Sequence, residues 1–208
     1  MYERKDAFYQ KAKREGYRAR SAYKLLELSR EFHFLQPGNR VIDLGSWPGG
    51  WAQVVAELVG PTGKVIGIDL VALDPLSQAH VTLLQGDATE AAQQEKIRAG
   101  LGGPADVLLS DMAPKLSGIK EVDEARAMDL CRAALACAWV LLRPGGTLLL
   151  KVFMGAEHKK FLAELRTAFT TVKTTRPEAT RKGSAETYVF AAGLKIPRAP
   201  LTYCPPRS

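Results

Sequence analysis

The sequence predicts a single α/β domain, a mostly parallel β-sheet with helices on both faces. Three observations point there. Apolar, strand-like runs alternate with helical patterns from about residue 40 to residue 193. Residues 41–51 pass from an apolar strand through a glycine-rich loop into a helix, the usual entry to a ligand site at a sheet edge. Acids also stand at the ends of the first four strands (Asp43, Asp69, Asp87 and Asp111), which places one ligand across the carboxyl edge of the sheet. The 208 residues suffice for one sizeable core and show no internal repeat or domain boundary. Residues 1–208 therefore read as one domain, with a basic N-terminal segment (1–20) and a loose C-terminal tail (195–208).

In chain order, residues 1–20 are dense in charge, with Tyr2, Phe8, Tyr9 and Tyr17 interleaved. Arg4, Lys5, Lys11, Lys13, Arg14, Arg18 and Arg20 are candidate phosphate contacts, and the rings candidate stacking partners for bases. Ser21 is the expected N-cap of a helix over 22–34, where Leu25, Leu28, Phe32 and Leu35 recur at helical spacing. Strand one (40–45) carries Asp43 inside an apolar run, where a carboxylate without partners is costly, so the loop's backbone amides are expected to hold it. Gly45, Gly49 and Gly50 remove Cβ atoms where the chain turns and a ligand approaches. Their spacing, with Trp47 between, departs from the dinucleotide pattern and suits an adenosine-type ligand without phosphates.

A helix over 50–59 is followed by strand two (64–70), which ends at Asp69, an acid placed to take ribose hydroxyls as donors. Strand three (81–85) leads into Gly86-Asp87, and after a helix over 89–100 strand four (106–110) ends in Asp111. Residues 112–122 read as a mobile flap before a long helix over 123–142. Pro144-Gly145-Gly146 turns the chain into strand five (147–153), where Lys151 interrupts a continuous apolar run. A helix over 157–168, strand six (170–175), a basic loop with Arg176, Arg181 and Lys182, and strand seven (186–193) complete the domain.

Charge is uneven. Residues 1–40 hold 10 Lys/Arg against 5 Asp/Glu and residues 170–208 hold 7 against 2, while the middle holds 12 against 15. A basic surface built from both ends suits a polyanion partner. No apolar run approaches the ~20 residues of a membrane span, and the charged start lacks the core of a signal peptide. Cys131, Cys137 and Cys204 form neither a metal spacing nor an even disulfide set, and His33, His80 and His158 follow no ligand spacing. The expectation is a cytoplasmic monomer without a metal, Cys131, Cys137 and Trp139 being core residues.

Six motifs in order carry a more specific likeness. They are Ser21-Ala22-Tyr23-Lys24-Leu25, Asp43-Leu44-Gly45-Ser46-Trp47-Pro48-Gly49-Gly50-Trp51, Gln85-Gly86-Asp87, Ser110-Asp111-Met112-Ala113-Pro114, Lys151-Val152-Phe153 and Ser184-Ala185-Glu186-Thr187-Tyr188. From about Arg20 to Gly193 the chain resembles the bacterial RrmJ/FtsJ-type ribosomal RNA 2′-O-ribose methyltransferases, which use S-adenosylmethionine. The resemblance implies a Rossmann-like methyltransferase fold with a seven-stranded sheet and an antiparallel last strand. It implies a catalytic set at Lys24, Asp111, Lys151 and Glu186, and cofactor contacts at Gly49, Trp51, Asp69, Asp87 and Asp111, with Gly45 and Gly50 in the same loop. It further implies a uridine of the 23S rRNA A-loop, in the assembled large subunit, as substrate. Ser46-Trp47 departs from the two alanines usual there.

The chemistry suits these residue types. A methyl on a sulfonium is already electrophilic, whereas a ribose 2′-hydroxyl is a poor nucleophile until it loses its proton. A lysine in an apolar strand serves as base if desolvation and a second ammonium, here Lys24, lower its pKa from about 10.4, the negative charge of Asp111 and Glu186 opposing part of that shift. Lys151 is thus the expected base, Asp111 and Lys24 position it, and Glu186 supports them. The competing readings are a catalytically silent RNA-binding ribosome-assembly factor, a 2′-O-methyltransferase of tRNA or an mRNA cap, and an NAD-dependent oxidoreductase. The glycine spacing disfavours the last.

Overall fold

A computed structural model describes residues 7–181 and 183–196. The expectations for residues 1–6, Lys182 and residues 197–208, with Cys204, lie outside the described residues. The chain runs α1 (Ala7–Glu15), α2 (Ala22–Phe32), β1 (Arg40–Leu44), α3 (Gly50–Val59), β2 (Lys64–Asp69), β3 (Val81–Gln85), α4 (Ala91–Leu101), β4 (Ala105–Ser110), α5 (Lys120–Leu141), β5 (Leu142–Phe153), α6 (His158–Ala168), β6 (Phe169–Thr175) and β7 (Glu186–Leu194). One seven-stranded sheet has the order β3-β2-β1-β4-β5-β7-β6. Strands β1 to β5 are parallel, and β7 runs antiparallel to both β5 and β6.

Alternation along the strands divides the core into two layers. Ile42, Leu108, Leu148, Leu150 and Val152 pack with residues of α4, α5 and α6. Val41, Leu109, Leu149, Tyr188 and Phe190 pack with residues of α2 and α3 on the other face. Lys151 is two residues from Leu149 and opposite Tyr188 in the β5–β7 register, so it stands on the α2–α3 face. The order reverses at β1, whose neighbours are β2 and β4, and the loops leaving β1 and β4 diverge there to open a crevice.

Five local differences from the sequence reading have physical causes. Helix α1 forms within the charged N-terminal segment because Phe8 packs on Tyr23, with ring centroids 5.6 Å apart, and Lys11 lies over the same ring at 4.6 Å. Ser21 has helical backbone angles and makes no capping bond; its carbonyl instead accepts the Trp51 indole N–H at 2.9 Å, tying α2 to α3. Helix α2 ends at Phe32, where His33 takes a left-handed conformation (φ 51°). Helix α5 starts at Lys120, so the expected flap shrinks to 112–119, and the Asp123 carboxylate pins it by accepting Ser117 N–H and Oγ–H, both at 2.7 Å, and Gly118 N–H at 3.2 Å. Pairing of β5 begins with Leu142 opposite Ala105 and resumes at Thr147 opposite Val107, so the Pro-Gly-Gly turn is an excursion within the strand.

Cys131, Ala134, Cys137, Ala138 and Leu141 form the buried stripe of α5. Burial pushes both thiols up to about 12, so they remain protonated packing groups. Among the described residues, no helix is long and apolar enough to cross a membrane.

Candidate active site

Strand periodicity sets the polar centre. On β7, Glu186 and Tyr188 are two residues apart and share a face with Lys151 of β5, under Lys24 of α2. Five side chains join there. Lys24 pairs with the Glu186 carboxylate, both side chains being largely buried, and lies 3.4 Å from the Tyr188 hydroxyl. Tyr188 donates to Asp111 Oδ1 at 2.8 Å, and the same oxygen is 3.0 Å from Lys151 Nζ. Lys151 also donates to the Asp111 carbonyl at 2.6 Å. The structure thus brings Lys24, Asp111, Lys151 and Glu186 together as two ion pairs joined through a phenol. Sequence reasoning missed Tyr188 as that joint. Its i+2 spacing from Glu186 was visible, but its place opposite Lys151 depends on the β5–β7 register.

Electrostatics set the protonation of two of these groups, Glu186 and Tyr188. Burial alone would raise the Glu186 carboxyl, but the Lys24 ammonium, with smaller help from Tyr188 and Lys151, outweighs burial and holds it below the usual range. Burial, and then the Asp111 and Glu186 charges, push the Tyr188 phenol well above its ordinary value, so it stays a donor.

A cavity of about 540 Å³ opens beside this centre, within the range of small-ligand sites. Gly45, Asp69, Asp87 and Asp111 line it, with apolar walls from Leu44, Ile68, Leu70, Met112 and Cys137. Asp111 is shared: its side chain faces both the cavity and Lys151. Asp69 accepts the Trp47 amide at 3.0 Å and the Val71 amide at 2.8 Å. Asp87 accepts the Thr89 amide and hydroxyl at 2.8 and 2.7 Å. Each carboxylate oxygen has two lone pairs, so capacity remains for ligand hydroxyls and amines. A Cβ at Gly45 would lie 2.5 Å from Met112 Cγ, and φ there is +70°, so glycine keeps the two loops in contact.

Gly49, Gly50 and Trp51 are not among the cavity-lining residues. Trp51 is buried, its ring 6.0 Å from that of Tyr188. Trp47, by contrast, lines the cavity and is 58% exposed. The lining contains three carboxylates and no lysine or arginine, which suits a cationic ligand and disfavours a diphosphate.

Asp43 is fully buried, and the Ser46 hydroxyl, not the loop amides expected from the sequence, holds its Oδ2 at 2.7 Å. Burial pushes its carboxyl up to about 7, with the Asp111 and Asp69 charges adding to the rise against the Ser46 hydrogen bond. A carboxyl whose folded pKa exceeds its unfolded value stabilises the fold fully below the unfolded value, and that stability drains away as pH rises through the folded one. Asp43→Asn is therefore expected to melt near wild type at pH 4 and several degrees above it at pH 8. A melting difference that stays flat across that range would show that Asp43 ionises in the fold as it does in the unfolded chain.

Comparison with known proteins agrees with this geometry. The model of the FtsJ-like methyltransferase family matches residues 17–194. The ribosomal RNA large subunit methyltransferase E of Methanothrix thermoacetophila is 51% identical over 199 residues, covering 96% of this chain and 76% of that protein. A Plasmodium falciparum protein described as a ribosomal RNA methyltransferase superposes with a TM-score of 0.75 at 28% identity, covering 86% of this chain and 98% of that one. The Aeropyrum pernix fibrillarin, solved with natively bound S-adenosyl-L-methionine, shares the fold at a TM-score of 0.58 and 19% identity, over 83% of this chain and 76% of its own. A family match across nearly all described residues, and a relative 51% identical over 199 aligned residues, make this chain a member of the FtsJ-like methyltransferase family.

Proposed function

We propose that the protein methylates a ribose 2′-hydroxyl of large-subunit ribosomal RNA, using S-adenosylmethionine, with a uridine of the 23S A-loop in the assembled subunit as target and a cytoplasmic monomer as the working form. The observation that carries this reading is Asp111, which lines the cavity and ion-pairs with Lys151 at 3.0 Å. When bound, S-adenosylmethionine supplies a methyl on a cationic sulfur, which suits a cavity walled by Asp69, Asp87 and Asp111.

Asp69 would take ribose hydroxyls of the cofactor, with Asp87 and Gly45 as further contacts, while Gly49, Gly50 and Trp51 support the loop from outside the cavity lining. Lys151, as its neutral amine, would receive the proton of the RNA 2′-hydroxyl as that oxygen takes the methyl, the methyl–sulfur bond breaks and the neutral thioether leaves. Asp111 orients Lys151 through its carboxylate and carbonyl, Tyr188 holds Asp111, and the Lys24–Glu186 pair anchors Tyr188 and presents an ammonium to the incoming ribose. Holding the ribose hydroxyl in line with the donor methyl would supply much of the acceleration.

The basic ends support an RNA substrate, because their described parts adjoin. Ala12 of α1, Tyr23 and Ala179 form one apolar cluster, and Arg20 donates to the Ala179 carbonyl at 2.5 Å. Lys11, Lys13 and Arg14 are exposed on α1, and Arg176 and Arg181 are exposed around Ala179. A tritiated-methyl transfer assay tests the reading, with undermethylated large subunits, free ribosomal RNA, tRNA and capped RNA offered in parallel. Incorporation into large subunits is expected. Incorporation into tRNA or capped RNA alone, or into none, would overturn the assignment, and binding to subunits without transfer would identify a silent assembly factor.

A further inference from the structure

Arg18, on the segment between α1 and α2, was expected to meet RNA phosphates, but its guanidinium is engaged within the protein. Nη1 donates to the Asp74 carbonyl at 2.7 Å and the Pro48 carbonyl at 3.4 Å, and Nη2 donates to the Pro75 carbonyl at 2.8 Å. Pro48 belongs to the glycine loop after β1; Asp74 and Pro75 belong to the segment after β2. Trp47 on the first segment and Leu70 at the start of the second both line the cavity. One planar fork therefore spans two of the loops that border the cavity.

The arginine is itself held in place. Its amide donates to Gln53 Oε1 at 2.8 Å, and Gln53 Nε2 donates to the Gly16 carbonyl at 3.0 Å, which docks residues 16–18 on α3. The glycine pair makes room for this strap. A Cβ on Gly49 would lie 2.9 Å from Arg18 Nη1, where φ is +107°, and a Cβ on Gly50 would lie 3.0 Å from Ala19 Cβ. These two glycines thus leave space for Arg18 and Ala19, a need the sequence reading assigned to the ligand.

We infer that Arg18 is a positioning residue for the cofactor site, fixing the separation of the loops after β1 and β2. The inference rests on S-adenosylmethionine occupying the cavity. An ammonium cannot reproduce a three-carbonyl fork, so lysine at this position restores only part of the function.

The test is calorimetric binding of S-adenosylhomocysteine to the full-length chain without RNA, for wild type, Arg18→Ala and Arg18→Lys, with melting curves and methyl-transfer kinetics alongside. Arg18→Ala is expected to weaken binding about tenfold, and Arg18→Lys less, since lost hydrogen bonds to a charged group of this kind are worth about a decade in affinity. KM for S-adenosylmethionine should rise in both variants, with kcat at saturation largely kept. If Arg18→Ala does not fold, Arg18→Lys decides the question. A folded Arg18→Lys that binds as wild type does, or a folded Arg18→Ala that keeps its affinity and loses RNA binding, overturns the inference alone. A wild type that binds no S-adenosylhomocysteine overturns the cofactor reading together with it.

Discussion

Lys151→Ala is expected to lower methyl transfer by about 10²–10⁴-fold, the range general-base catalysis contributes, while leaving S-adenosylhomocysteine affinity within about twofold. The split follows from geometry. Lys151 reaches the cavity only through Asp111, which lines the wall and bonds Lys151 by both its carboxylate and its carbonyl. Without the Lys151 side chain, Asp111 keeps the Tyr188 hydroxyl at 2.8 Å and partial exposure to water, so the wall is retained while the amine that takes the proton is lost. Melting curves should show a modest loss only, because water relieves much of the charge left on Asp111. Loss of cofactor affinity in parallel with activity would mean that Lys151 shapes the cavity, and retained activity would remove it from the chemistry.

The second large effect concerns stability. Lys24 and Glu186 form a pair whose side chains are only 11% and 13% exposed. Breaking such a pair from one side strands the other charge, at a cost of about 3–5 kcal/mol. Lys24→Met is therefore expected to lower Tm by roughly 6–20 °C at pH 7, taking about 2–4 °C per kcal/mol for a chain of this size. Adding Glu186→Gln should recover much of that loss, since a neutral amide needs no counter-ion. The pH dependence has a defined sign. The native Glu186 carboxyl is depressed, so its stabilisation is present above the unfolded value and is lost as pH falls through the folded one. In Lys24→Met burial is opposed only by the weaker Tyr188 and Lys151 contributions and the carboxyl is raised, so the gap between variant and wild type should close as pH falls toward 4. A Lys24→Met protein that melts like wild type at pH 7 would contradict the pairing.

Much of this site was legible because it depends on short-range pattern. Apolar runs ending in acids located Asp69, Asp87 and Asp111, and all three reach the cavity because parallel strands bring their C-terminal ends to one edge. Lys151 stood out as a charge in an apolar strand, and alternation alone put it on the Leu149 face. What stayed hidden needs tertiary information. The role of Tyr188 depends on antiparallel register, since only the β5–β7 pairing sets it opposite Lys151. Helix α1 has Ala12 as its only buried residue and is held by the Tyr23 ring, which no local periodicity reveals. Arg18 looks like its basic neighbours until its carbonyl partners, 30 to 57 residues away, are in place. Gly49 and Gly50 were recognisable as necessary glycines, but what occupies their missing Cβ positions is set by the docked N-terminal strap.

The central claim is that this centre removes a proton from a ribose hydroxyl and directs a methyl group to that oxygen. Its most direct test is mass-spectrometric nucleoside analysis of RNA from undermethylated large subunits treated with the protein and S-adenosylmethionine. One added methyl is expected, located on a ribose and absent after treatment with Lys151→Ala. A methyl found on a base, or a ribose methyl still added by Lys151→Ala, would contradict it.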